Sequence, residues 1–254
     1  MLAVLSPAKS LDETSPIPQV DATEARFPEA TATLAQAAAK LKPAALAKLM
    51  HISKALAEKN AARFQDLLEP GEARPALYTF DGDVYTGLQG KSLDAAGVAF
   101  AQHHVRILSG LYGVLRPLDL MRPYRLEMGT DLKIGRKRGL YTFWGKRIAE
   151  ALADDMSGHK DKTLINLASK EYFAAVDVAV LPGKVLAIDF RDDHGDGDLR
   201  FNTFVAKKAR GAMARFIVDE RLESPAGMKK FDGYGYSYRK ELSDEARWAF
   251  VRTA

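Results

Sequence analysis

"VRILSGLYGVLRPLDLMRPYRLEM", Val105 to Met128, sets the fold class of this chain. Its first five residues, with Val105, Ile107 and Leu108 apolar, form a strand-prone run. The residues after Ser109 pack three arginines, two prolines, two tyrosines and a glutamate into one segment. Neither proline nor adjacent charge suits a strand interior or a helix core. A buried strand that runs directly into a costly polar loop is the pattern of an α/β protein, in which such loops gather at the ends of parallel strands and hold ligands there.

Three other predicted strands end the same way: Leu2–Ser6 into "PAKSLD", Ala76–Phe80 into the loop "DGDVYTGL", and Thr163–Ala168 into "SKEYF". Helical spacing of apolar residues predicts helices over Pro28–Leu41, Pro43 to about Met50, and Ser53 to about Leu68, with prolines in first turns and Ser53 as a cap. "SLDAAGVAFAQ", "YTFWGKRIAEALADDM" and "RGAMARFIVDERL" predict further helices. "KVLAIDF" and "LRFNTFVAKKA" flank an Asp/Gly turn as an antiparallel hairpin, and "YSYRK" with "RWAFVR" predicts a final one. Early strands alternate with helices and late strands pair directly. The expected fold is α/β: one compact domain over residues 1–254, a mixed central sheet surrounded by helices.

The 254 residues are enough for a substantial core, and 47% hydrophobic with 28% charged residues is the balance of a soluble globular protein. Cysteine is absent, which excludes disulfides, thiolate metal sites and cysteine nucleophiles and fits a reducing cytoplasm. "MLAVLSPAKSLDE" lacks the basic flank and cleavage signal of a signal peptide, and no segment is long enough to span a membrane. Charge is unevenly placed. Arg106 to Arg147 carries ten Lys/Arg against Asp119, Glu127 and Asp131, and Arg200 to Ile217 carries five basic residues and no acid. Asp189 to Asp198 holds five aspartates against Arg191. Two basic regions separated by an acidic turn imply a positive face that attracts an anionic partner; the alternative is solvated surface.

If the four strands are neighbours, their loops bring Lys9, Asp83, Tyr85, Arg116, Tyr124, Arg125, Glu127, Asn166, Ser169, Glu171 and Tyr172 into one cleft. The arginines offer planar forks for phosphate or base edges, and the aromatics offer stacking faces. The alternative for Arg116, Asp119, Arg125 and Glu127 is an internal salt-bridge network that pins the loop. Lys9 reads as a phosphate ligand, or as an amine nucleophile if desolvated, with Glu127 or Glu171 as acid/base. "FVAKKARG" places Lys207, Lys208 and Arg210 where a strand gives way to a helix, a position that favours anions. Trp144 reads as core.

Residues 43–68 hold a helix-hairpin-helix-like element. "LMHISKALA" fits L-x-G-h-G-x-x-x-A at Leu49, Ile52 and Ala57, with His51 and Ser53 in the glycine positions. Such a hairpin meets a DNA phosphate through backbone N–H groups, with Lys48 and Lys54 close by; two merely packed helices are the alternative. The five histidines show no metal-ligand spacing, and "RDDHGDGD" lacks the order of a calcium loop, so no metal or cofactor is expected. Walker A and G-x-S-x-G motifs are absent.

"LSPAKSLD", "FDGDVYTGL", "LSGLYGVLRPLDLMRPYRLEM", "NLASKEYF" and "AKKARG" together resemble the YaaA family of bacterial peroxide-stress proteins, from Met1 to about Leu222. The resemblance implies a cytoplasmic protein of the hydrogen-peroxide response that limits iron-driven Fenton damage, with a compact α/β fold, a basic cleft, a helix-hairpin-helix element and DNA as partner. It places Ser6, Lys9, Asp83, Arg116, Arg125, Glu127, Asn166, Ser169, Glu171, Lys207 and Arg210 in or near that cleft. The expectation is a monomer that binds duplex, bulged or damaged DNA without sequence specificity. The rival expectation is a lyase- or glycosylase-like enzyme acting on DNA or a nucleobase in the same cleft, and the third is an iron protein using the Asp189–Asp198 turn.

Overall fold

The first strand, β1 (Leu2–Leu5), is buried at every residue, and so is β2 (Val105–Ser109). Runs without polar alternation are what strands covered on both faces require. In the computed structural model, which describes residues 1–195 and 198–253, the two lie side by side and parallel, with Ala3 opposite Val105 and Leu5 opposite Ile107. The sheet continues through β3 (Gly113–Leu115), β4 (Leu164–Asn166), β5 (Val185–Asp193), β6 (Leu199–Arg200), β7 (Ser237–Arg239) and β8 (Arg247–Thr253). Among the described residues these eight strands run β7-β8-β5-β4-β1-β2-β3, and β6 pairs with β5. The central strands β8, β5, β4, β1 and β2 are mutually parallel, while β3, β6 and β7 add antiparallel. This is the mixed α/β sheet of one compact domain.

Helices flank it: α1 (Pro28–Ala39), α2 (Pro43–Met50), α3 (Lys54–Asp66), α4 (Asp83–Leu88), α5 (Ala95–His104), α6 (Arg147–Ser157), α7 (Lys170–Phe173) and α8 (Thr203–Asp219). Side-chain caps start several of them. Asp94 accepts from Gly97 N at 2.6 Å, and Asn202 accepts from Val205 N at 3.3 Å. Trp144 is core, 1% exposed, and all seven methionines are buried, the most exposed being Met50 at 5%. Among the described residues no helix is long and apolar enough to cross a membrane.

Three expectations need correction. Ala76–Phe80 is not a strand: Ala76–Thr79 is a buried helical turn entered from Pro75, whose carbonyl accepts from Thr79 Oγ1 at 2.9 Å. Only Phe80–Asp81 is extended, pairing with Ser10–Leu11 away from the main sheet, and "DGDVYTGL" then forms α4 rather than a loop. "LRFNTFVAKKA" contributes only the two residues of β6 as strand, because the Asn202 cap and the buried spacing of Ala206, Ala209 and Met213 favour a helix. Lys207, Lys208 and Arg210 therefore sit in the second turn of α8. "YTFWGKRIAEALADDM" breaks at Gly145 (φ 54°) into Leu140–Trp144 and α6. Of the acidic turn, Asp196 and Gly197 lie outside the described residues.

The approach of α4 and α8 is set by two glycines. A Cβ on Gly87 would lie 2.0 Å from the Lys208 carbonyl oxygen, and one on Gly211 would lie 1.7 Å from that of Val84. Neither obstacle is a side chain that can swing aside, so the helices meet backbone to backbone. Gly211→Ala is expected to destabilise the protein by about 3 kcal/mol, the upper part of the usual overpacking range. That corresponds to a drop in thermal midpoint of roughly 6–12 °C for a domain of this size. Gly158→Ala, at a helical position (φ −77°) with nothing within 4 Å, is the control and should change stability by less than about 1 kcal/mol. Denaturant or thermal unfolding of the two variants distinguishes these outcomes.

Candidate functional site

The order of the chain reverses beside β1, with β2 on one side and β4 on the other, so the loops leaving β1 and β4 diverge and open a crevice. Ser6 is its hinge point. Its Oγ accepts from Ser169 N at 2.8 Å, and its carbonyl accepts from the Tyr85 hydroxyl at 3.1 Å. Ser169 also caps α7, accepting from Tyr172 N at 3.4 Å. The resulting cleft, about 380 Å³, is lined by Ser6, Lys9, Asp81, Asp83, Glu127, Ser169, Glu171, Tyr172, Lys207 and Arg210, with small residues between them.

Its charge is mixed. Among the described residues, the lining carries Lys9, Lys207 and Arg210 beside Asp81, Asp83, Glu127 and Glu171. Glu127 is shared: one oxygen lies 2.7 Å from Lys9 Nζ and 3.1 Å from an Arg125 nitrogen. Glu171 is held by Gly129 N at 2.9 Å, which ties the loop after Glu127 to α7. Arg210 is less satisfied. It lies over the Phe201 ring at 5.7 Å, and its buried Nε has no hydrogen-bond partner among the described residues; the Nε of Arg125 is likewise unpaired. Burial lowers the Arg210 pKa, with Asp189 opposing the shift, and a guanidinium so placed remains a cation in want of an acceptor. Burial pushes the Tyr85 and Tyr172 hydroxyls well up, so at neutral pH both are hydrogen-bond donors and not bases.

The other expected residues lie elsewhere. Arg116 Nε pairs with Asp119 at 2.8 Å and an Arg116 Nη donates to the Glu24 carbonyl, so this arginine pins its own loop and is not in the cleft. Tyr124 is core behind the cleft, its hydroxyl 2.6 Å from Ser109 Oγ, and Tyr85 stacks on Phe80 at 5.4 Å in the same layer. Asn166 closes β4, accepting from Ala168 N at 3.0 Å. Lys208 is on α8 but does not line the cleft. Asp81 went unread; the D-G-D spacing around Gly82 was its one signal. Two aspartates of the acidic stretch are committed, Asp189 to Arg191 and Asp192 to Arg252 and Tyr236. No three His, Asp or Glu among the described residues are placed to share a metal ion.

Helices α2 and α3 pack against each other across the turn at His51–Ser53. His51, in the first glycine position, adopts left-handed φ 52°, ψ 49°, at a cost of roughly 1 kcal/mol for a residue with a Cβ. Ser53 needs no positive φ and caps α3 by accepting from Leu56 N at 3.3 Å. Lys48, His51, Ser53 and Lys54 are exposed and Ile52 is half-buried.

A parallel-centred α/β domain with a crevice at its topological reversal is the class this fold and cleft define. The family model described as peroxide stress protein YaaA matches residues 1–242, and the chain belongs to that family. A UPF0246 protein of Rhizorhabdus wittichii is 54% identical over 254 residues, the whole of both chains. One from Caulobacter vibrioides is 48% identical over 253 residues, 99% of each chain. Another, from Idiomarina loihiensis, is 46% identical over 255 residues, 99% of this chain and 98% of its own.

At the opposite edge of the sheet, histidines far apart in sequence meet. His104 stacks on Phe100 at 3.9 Å, its Nδ1 lies 2.9 Å from the Met1 carbonyl, and His159 is 4.6 Å from it, ring to ring. His103, one residue earlier, points to solvent. Burial first, then nearby positive charge including His104 and Arg106, lowers the His159 pKa from 6.5 to about 4. Between those values the unfolded chain binds a proton that the folded one refuses, so stability falls as pH drops from about 7 towards 4. His159→Gln should flatten that part of the stability–pH curve, as read by denaturant midpoints at successive pH values; an unchanged slope would contradict it.

Proposed function

We propose that this chain is a DNA-binding protein of the hydrogen-peroxide response, acting in the cytoplasm as a monomer without a cofactor. It holds duplex or distorted DNA without sequence specificity and limits iron-driven damage by shielding the DNA itself. The observation that carries this is the Arg210 guanidinium, which lines the cleft with a buried Nε that has no acceptor among the described residues. A phosphate at the cleft face of this guanidinium supplies the negative charge that Arg210 and Lys207 call for. The carboxylates across the cleft suit the N–H edges of an unstacked base better than a second phosphate, which favours distorted over intact duplex. The α2–α3 turn supports the same reading as a backbone grip that reads no sequence.

Affinity for bulged or abasic duplex should fall steeply with salt. Lys207→Gln with Arg210→Gln should make the slope of log K against log salt less steep by about 2 and remove the preference for distorted DNA. Undetectable or salt-insensitive binding by the parent protein would refute the proposal.

A second reading starts from Lys9, which lines the cleft mouth 2.7 Å from Glu127 with most of its side chain open to an incoming substrate. Here Lys9 first passes a proton to Glu127 and attacks C1′ of an abasic or base-bearing sugar as the free amine; Glu127 then returns that proton to the departing hydroxyl or base, which leaves as water or neutral base while the iminium forms. Borohydride should then trap a protein–DNA adduct on abasic DNA that Lys9→Ala abolishes. Equal trapping by the variant, or none by the parent, removes the enzyme from consideration.

A further inference from the structure

Away from the cleft, Lys133–Ile134 and Lys137–Arg138 pair as a short β-hairpin turned at Gly135, whose φ of +59° suits glycine. Leu132 and Ile134 are buried and anchor it to the body of the protein, while Lys133, Arg136, Lys137 and Arg138 are exposed. Arg138 pairs with Asp131 at 2.7 Å, whereas Lys133, Arg136 and Lys137 have no ion-pair partner among the described residues. Beside the hairpin lies a groove of about 550 Å³ with an apolar floor of Leu41, Ala45, Leu49 and Leu132. Lys48 and His51 of the α2–α3 hairpin form its other rim, and Asp131, already paired, is the one acid that lines it.

Cations held this close without counter-charge repel one another, and a regularly spaced polyanion relieves that repulsion. Two basic rims on either side of an apolar strip match a sugar–phosphate backbone, which alternates charged phosphates with apolar sugar faces. We infer that the Lys133–Arg138 hairpin is a second DNA-backbone contact, which clamps one duplex against the α2–α3 turn across the groove between them. This rests on the DNA-binding reading but involves no residue of the cleft.

The test compares two double variants on a short intact duplex across a salt series. Lys133→Gln with Lys137→Gln removes two charges from the hairpin. Lys160→Gln with Lys184→Gln removes two exposed charges at the amino-terminal edge of the sheet. The hairpin pair should make the salt slope less steep by about 2, roughly 0.9 per lost phosphate contact, while the control pair keeps the parent slope. Arg136→Gln with Lys137→Gln provides a second hairpin pair if the first alters the thermal midpoint. Equal losses in hairpin and control pairs, or no loss in the hairpin pairs, overturn the clamp and leave DNA binding standing. Failure of the parent protein to bind any duplex overturns both.

Discussion

The cleft exists because two helices touch without side chains between them. Gly87 and Gly211 bring α4 and α8 to backbone contact, and each helix carries part of the lining: Asp83 at the start of α4, Lys207 and Arg210 in the second turn of α8. Separating the helices by the width of one methyl group would move these charges relative to one another and to Ser6. Packed interiors respond to such changes by shifting whole elements, because their density leaves nowhere for the extra atoms to go. The geometry of the site is therefore set in the core and only displayed at the surface.

Within that frame the electrostatics are a balance, not a simple field. Glu127 accepts from both Lys9 and Arg125, so it lies between two cations and holds both. Arg210 makes no ion pair among the described residues, feels Asp189 only at longer range, and lies over the Phe201 ring. A ligand that brings one negative group and several hydrogen-bond donors meets both halves of this lining. A bare polyanion satisfies only one of them.

The parallel core was legible because β1 is an unbroken apolar run and β2 departs from one only at Arg106 and Ser109, the pattern of strands covered on both faces. Ala76–Phe80 misled because a run this short is apolar whether it is a buried strand or a buried helical turn, and periodicity cannot separate the two. Lys9, Glu127 and Ser169 reach the cleft on loops, while Asp83, Glu171, Tyr172, Lys207 and Arg210 reach it from the first two turns of α4, α7 and α8. Arg116 misses it because Asp119, three residues away, binds it first. The glycine contact and the histidine cluster were invisible in the sequence, since both join residues more than fifty positions apart through packing alone.

The placement of sulfur carries a further consequence. With no thiol in the chain and every methionine sealed inside, the folded protein offers an oxidant almost nothing to convert to sulfenic acid or sulfoxide. Its sulfur is kept from peroxide for as long as the fold stays closed, so the chemical durability of the chain is tied to the integrity of its core.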